Sequence, residues 1–139
     1  MLKLGVIGYG YWGPNVVRNF ASHADCQVAV ICDRDPAVLA EVPRRYPTTR
    51  ATSDLAEVLQ SPAIDAVAIV TPVSTHYELA RTALENRKHV FVEKPLTATA
   101  VQAEALIELA DRKGLLIMVD HTFLFNGAVR KIKELLECE

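Results

Sequence analysis

The sequence predicts an α/β fold: an open, doubly wound, mainly parallel sheet of about six strands. Three observations carry that prediction. Short apolar runs alternate with longer amphipathic segments along the whole chain. The runs lack the in-out alternation of a half-solvated sheet, so helices must cover both faces. And 139 residues make one ordinary domain, whereas a closed barrel of eight β/α units needs about 250.

Each element has its own local signal. "LKLGVIG" (Leu2 to Gly8) reads as the first strand and "PNVVRNFASH" as the helix after it. "CQVAVICD" (Cys26 to Asp33) is a second buried strand, rich in β-branched residues. Asp35 followed by Pro36 has the form of an N-cap and first helical position for "AVLAEVPRRY", with Pro43 expected to end or kink that helix. "TTRAT" is a weak third strand. Asp54, with Glu57 three residues on, resembles a capping box opening a short helix to Leu59. "IDAVAIVTP" is the fourth strand, and Ser74 or Thr75 can cap the helix "HYELARTALENR". "KHVFVEKP" is the fifth, ended by proline. Thr97 opens the helix that runs to about Lys113, where Gly114 stops it. "LLIMVDHTF" is the sixth strand, and "GAVRKIKELLECE" a last amphipathic helix. The division expected is a sheet domain over 1–125 and a leaving helix over 126–139.

Composition narrows the function. Half the residues are hydrophobic and 23% charged, which suits a packed core. The net charge is −2 and Lys and Arg are scattered, so nucleic acid is not an expected partner. No apolar run approaches the length of a membrane span or a signal sequence. Cys26, Cys32 and Cys138 lack metal-ligand spacing; Cys26 and Cys32, which bracket an apolar run, read as small residues in or near the core, and a reducing, cytoplasmic setting fits best. No metal site is expected.

Gly8, Gly10 and Gly13 meet the pattern G-x-G-x-x-G directly after a strand and at the opening of a helix. Gly8 permits a tight turn, Gly10 lets the backbone approach a diphosphate, and Gly13 lets the helix pack closely. Free N–H groups from about Tyr11 to Gly13 would face the diphosphate, aided by the helix dipole. Pro14 has no N–H, but the first turn tolerates that. Asp33 ends the second strand twenty positions after Gly13. A carboxylate there accepts hydrogen bonds from the adenosine ribose hydroxyls and repels a 2′-phosphate, which favours NAD over NADP. Arg34 pulls the other way, since a guanidinium can pair with that phosphate or stack on adenine. Glycines also cluster in purely structural turns; the strand, helix and acid in register set this cluster apart.

The ends of the fourth and fifth strands should meet the ligand at the point where strand order reverses. They offer Thr71, Pro72, Ser74, Thr75 and His76, then Glu93, Lys94 and Pro95. A lysine at such a mouth can donate to a substrate oxygen and, if partly desolvated, exchange that proton. Taken alone, Glu-Lys-Pro is an ordinary solvated turn, and His76 a capping or surface histidine.

Together "GVIGYGYWGPNVVRNF", "CDRDP", "VTPVSTHYELA" and "HVFVEKPLT" resemble the N-terminal Rossmann domain of the Gfo/Idh/MocA oxidoreductases. "GYWGPN" and "VDHTFLFNGAVRKIKELL" are most similar to the members that oxidise the 3-hydroxyl of a UDP-N-acetylhexosaminuronate. The resemblance implies NAD as cofactor, NADP less so, and a sugar or nucleotide-sugar substrate. Lys94 matches the family's catalytic lysine, with Glu93 and Pro95 as its flanks and a lysine–proline bond expected to be cis. Gly8, Gly10, Tyr11, Trp12, Gly13, Asp33 and Arg34 match the cofactor contacts. Thr71, Pro72 and His76 match the ribose and nicotinamide side. His121, Asn126 and Arg130 fall near the start of the inter-domain passage, where substrate is touched.

Family members usually carry a second α+β domain, with a second catalytic residue, that this sequence does not contain. Turnover by these 139 residues alone is therefore not expected. A fragment, a chain completed by a separate partner and a free-standing nucleotide-binding or regulatory module all fit; a flavodoxin-like or methyltransferase domain shares the sheet but not the Glu-Lys-Pro placement. Ala128, Val129, Ile132, Leu135 and Leu136 form an apolar stripe on the last helix. Left partly bare, that stripe favours self-association.

Overall fold

The computed structural model describes residues 1–137. Six strands alternate with helices: β1 (Leu2–Ile7), α1 (Gly13–Ala21), β2 (Cys26–Cys32), α2 (Pro36–Arg45), β3 (Arg50–Thr52), α3 (Ala56–Leu59), β4 (Ala66–Ile69), α4 (Val73–Glu85), β5 (His89–Val92), α5 (Ala100–Lys113) and β6 (Ile117–Val119). A 3₁₀ turn (Thr122–Phe125) and α6 (Gly127–Glu137) follow. Cys138 and the end of the predicted last helix lie outside the described residues.

The strands form one sheet in the order β3-β2-β1-β4-β5-β6, every pair parallel. This is the doubly wound order of dinucleotide-binding sheets, with its reversal between β1 and β4. The apolar runs explain why the sheet is covered on both sides. Ile7, Val30, Val67, Ile69 and Val92 pack on Ala80 and Leu84 of α4 and Leu106 of α5. Leu4, Val6, Val28, Ile31 and Ala68 face the other way, onto Val16 and Val17 of α1 and Val42 of α2. Each large aliphatic side chain buried this way contributes roughly 1.5–3 kcal/mol. Met118 of β6 is exposed and Phe91 of β5 only half covered, so the α1 side of the sheet thins out toward that edge.

Helix ends test the local signals. Asp35 accepts the Ala37 N–H at 2.8 Å, with Pro36 in the first turn, as the sequence predicts. Gly114 closes α5 in the left-handed region at φ +65°. Other ends differ. The α5 cap is Thr99, which accepts the Gln102 N–H at 3.3 Å; Thr97 is buried and donates to Thr99 O. The Asp54–Glu57 capping box does not form, because Asp54 accepts the Ala56 N–H and Glu57 pairs with Arg50 at 3.1 Å. Neither Ser74 nor Thr75 caps α4, which begins at Val73 behind Pro72; Thr75 donates back to Pro72 O at 2.8 Å. Pro43 does not end α2, which runs two residues further, to Arg45. The sixth strand is shorter than predicted, because Thr122–Phe125 coils into the 3₁₀ turn.

Among the described residues, helix α6 packs chiefly on that turn. Val129, Ile132, Leu135 and Leu136 are exposed, Leu136 by 74%.

Candidate cofactor site

The loop between β1 and α1 is built by its three glycines. Gly8 sits at φ +94°, and a Cβ there would lie 2.3 Å from Val70 O. A Cβ on Gly13 would lie 2.6 Å from Gly8 O, so α1 can start this close to β1 only with glycine there. Around Gly10 a Cβ meets nothing within 4 Å. The first two are thus required by the fold, while Gly10 borders open space. Tyr9, between Gly8 and Gly10, turns its ring into the core and pins the loop.

Helix α1 begins with Trp12 at its N-cap, no capping side chain, and proline in its first turn. No acceptor among the described residues takes the N–H groups of Tyr11, Trp12 or Gly13. An uncapped helix start with free N–H groups beside open space is a ready anion site.

Asp33 lies directly beneath this loop. Its Oδ2 accepts the Tyr9 N–H at 2.6 Å and its Oδ1 the Asp35 N–H at 3.0 Å. These bonds fix the carboxylate at the wall of a cleft of about 570 Å³. Gly8, Gly10, Asp33, Arg34, Thr71 and Pro72, all expected from the sequence, line that cleft. So do Ser53, Asp54 and Leu55 from the loop after β3. Those three went unpredicted, although the strand order carries the signal: with β3 beside β2, the two following loops must share one edge. Two carboxylates, Asp33 and Asp54, and the guanidinium-bearing Arg34 therefore line the same cleft. Burial first, then Asp33, Asp54 and Glu57, push the Cys32 thiol up to about 11. That thiol stays protonated and serves as packing.

On the far side of the sheet reversal, His76 is buried, which corrects its reading as a capping or surface residue. Its Nδ1 lies 2.9 Å from Pro95 O and its Nε2 2.8 Å from Thr71 O. The ring thus ties the loop after β4 to the loop after β5, rather than facing a ligand directly. Thr75 donates to Pro72 O, so Thr71 must be the donor of the 2.7 Å hydroxyl–hydroxyl bond to Thr75. The Lys94–Pro95 bond is cis. Lys94 is exposed at the end of β5, and Glu93 accepts the Lys94 backbone N–H at 3.1 Å.

Other predicted residues stand apart from the cleft. Tyr11 is 95% exposed. Trp12 lines a second cleft of about 530 Å³ on the α1 side, with Phe20, Phe91, Asp120 and Thr122. His121 is exposed. Asn126 Oδ1 accepts the Ala128 N–H at 2.9 Å, and Arg130 donates to Leu124 O at 3.1 Å with its guanidinium over the Phe125 ring. Asn126 Oδ1 and Arg130 Nε thus help to hold the start of α6. Among the described residues no cluster of metal ligands exists, and no helix is long and apolar enough to cross a membrane.

A parallel sheet with this order, a glycine turn into an uncapped helix and an acid at the end of β2 define a dinucleotide-binding domain of the Rossmann type. The chain belongs to the Gfo/Idh/MocA oxidoreductases: residues 2–121 match that family's model, described as an oxidoreductase family with an NAD-binding Rossmann fold. It is 34% identical to the scyllo-inositol 2-dehydrogenase (NAD(+)) of Bacillus subtilis, over 99% of this chain and 39% of that protein. It is 33% identical to the UDP-N-acetylglucosamine 3-dehydrogenase of Acidithiobacillus ferrooxidans, over 96% of this chain and 41% of that one. The solved biliverdin reductase of Synechocystis, in complex with biliverdin and NADP+, superposes with a TM-score of 0.91 at 28% identity, over 98% of this chain and 43% of that one. The chain thus spans about 40% of the length of the relatives it matches. Relatives use NAD and NADP alike, so the shared property is an NAD(P) site.

Proposed function

We propose that this chain binds NAD in preference to NADP and forms the cofactor wall of a dehydrogenase acting on a hydroxyl carbon of a sugar or nucleotide sugar. The observation that carries the reading is Asp33. Two backbone N–H groups hold its carboxylate in the same cleft as the open face of Gly10. Its charge, with that of Asp54, disfavours a 2′-phosphate. Tyr11, Trp12 and Gly13 would offer their N–H groups to the diphosphate. Thr71 and Pro72, and Glu93 at the next strand end, would border the nicotinamide ribose.

Bound there, the nicotinamide supplies a hydride acceptor. The chain's own task is the hydroxyl proton. As the substrate carbon loses hydride, Lys94 takes the O–H proton on its amine and hydrogen-bonds the nascent carbonyl oxygen. Hydride and proton leave the alcohol together, so the balance closes. Likeness to the UDP-N-acetylglucosamine 3-dehydrogenase of Acidithiobacillus supports a UDP-N-acetylhexosamine oxidised at C3; the uronate form of that sugar rests on the sequence resemblance alone. Of the residues expected on the substrate side, His121 keeps a side chain with no hydrogen bond among the described residues.

Calorimetric titration of the chain with NAD, NADP and S-adenosylmethionine tests the first part; binding of S-adenosylmethionine alone would reject it. For the second, Lys94→Met in the full-length enzyme should abolish NADH formation from UDP-N-acetylglucosaminuronate and leave the NAD Kd unchanged. Undiminished turnover would remove Lys94 from its role. Tight NAD binding with no turnover on any sugar would favour a nucleotide-binding module instead.

A further inference from the structure

The ends of β5 and β6 hold a pair of groups that cofactor binding does not account for. Val92 pairs with Val119 in the parallel ladder, so the next residues, Glu93 and Asp120, emerge side by side. The Asp120 N–H donates to Val92 O and the Glu93 N–H to Ile69 O, both at 2.9 Å, which fixes both backbones. Glu93 Oε2 accepts the Lys94 N–H at 3.1 Å. Its other oxygen, Oε1, is buried and has no donor among the described residues. The side chain facing Glu93 is the carboxyl of Asp120. Ionised carboxylates only accept, so two of them side by side repel and leave Oε1 unsatisfied. A single proton between them removes both problems.

We propose that Glu93 and Asp120 are a carboxyl pair sharing one proton, and that the pair presents the Lys94 side of the cleft with one negative charge rather than two. The second half rests on the reading of Lys94 given above.

The surroundings agree. Burial pushes the Glu93 carboxyl above the usual range, and the hydrogen bond and charge of Asp120 push it further; the backbone N–H and the charge of Lys94 pull it back. Asp120 and Lys94 are the charged groups facing Glu93, from β6 and β5. The cleft onto which Asp120 opens also holds His23 and Asp25, from the turn after α1. Asp120 was not singled out from the sequence, because only the β5–β6 register brings it to Glu93.

Carbon-13 NMR titration of the carboxyl groups tests this on the chain as it stands, with Glu93→Gln and Asp120→Asn providing assignments. The wild type should show a coupled, two-step curve for both groups, with Glu93 still partly protonated above the usual carboxylate range. Asp120→Asn, whose amide can donate to Oε1, should reduce Glu93 to one step at lower pH. Glu93→Gln should do the same to Asp120. Independent single-step curves in the wild type, or a Glu93 curve unmoved in Asp120→Asn, would overturn the pair. Should Asp120→Asn fail to fold, the wild-type and Glu93→Gln curves decide alone. Lys94→Met separates the two readings: it should raise the Glu93 curve further while keeping its two steps. Loss of the shared proton leaves the role of Lys94 standing, and full turnover in Lys94→Met leaves the pair standing.

Discussion

Replacing Gly10 by alanine adds one methyl group at the position where fold and ligand make opposite demands. In the structure that methyl meets nothing within 4 Å, and Gly10 is not in the left-handed region. The folded state therefore loses nothing, and the stiffer unfolded chain adds a gain of about 0.4–1 kcal/mol at most. The midpoint of thermal unfolding should stay at or slightly above that of the wild type. With cofactor the balance reverses. The added methyl projects into the space beside the free N–H groups of α1, where the proposed function puts the diphosphate. Forcing a methyl into a filled contact costs about 1–3 kcal/mol, which raises the NAD Kd roughly 5- to 150-fold. Gly13→Ala is the contrast. Its methyl would sit 2.6 Å from Gly8 O and 3.2 Å from Gly8 C, both backbone atoms with no rotamer to give. The same 1–3 kcal/mol scale of overpacking, about, then falls on the fold, and the midpoint drops by roughly 3–5 °C per kcal/mol for a domain this size. Scanning calorimetry with and without NAD, plus titration of NAD into each variant, reads both effects. A Gly10→Ala protein that melts as low as Gly13→Ala, or binds NAD like the wild type, would refute the assignment of that open space to the diphosphate.

Two other substitutions probe the walls of the site. Asp33→Asn keeps the shape but loses the charge and one acceptor; a charge-assisted hydrogen bond is worth roughly 1.5–3 kcal/mol, so NAD should bind about 10- to 150-fold more weakly, with NADP weakened less, as calorimetric titration of both would show. His76→Ala empties a buried site and removes the ring N–H from whichever of the Thr71 and Pro95 carbonyls it donates to. Cavity and unsatisfied acceptor together should cost about 3 kcal/mol or more, read as a lower denaturation midpoint in urea; a cost below about 1 kcal/mol would mean that the ring does not tie the two loops.

Much of this was legible before any coordinates. Runs such as "CQVAVICD" and "IDAVAIVTP" are apolar on both faces, and only a covered parallel sheet satisfies that. The glycines and Asp33 were legible because local geometry alone assigns their work: a left-handed φ at Gly8, a blocked Cβ at Gly13, an acid at a strand end. Helix caps were less so. Thr97 and Thr99 offer the same hydroxyl two residues apart, and only the path of the chain after Pro95 decides which meets the helix. Ser53, Asp54 and Leu55 reach the cleft through the pairing of β2 with β3, and Asp120 reaches Glu93 through that of β5 with β6. Both are contacts between neighbouring strand ends, which one-dimensional periodicity does not encode. His76 eluded the sequence for the opposite reason: a histidine in the first turn of a helix is usually exposed, and here the ring is buried between two backbone carbonyls.

The sheet itself explains why chemistry and stability separate so cleanly along this chain. All six strands run the same way, so all their C-terminal ends meet at one edge. Immediately beyond those ends stand Gly8 after β1, Asp33 after β2, Glu93 after β5 and Asp120 after β6. The strand interiors are left free to be purely apolar. Within the edge, one distinction decides what a substitution reveals. Gly8 and His76 engage or crowd backbone atoms, so changing them reports on folding before it reports on ligand. Gly10 and Lys94 face open space, so changing them spares the fold and exposes the chemistry. Asp33 lies between: it grips the loop through two N–H groups, while in the proposed function its charge favours NAD. Among these five, a variant that loses NAD affinity without losing stability is therefore expected at Gly10.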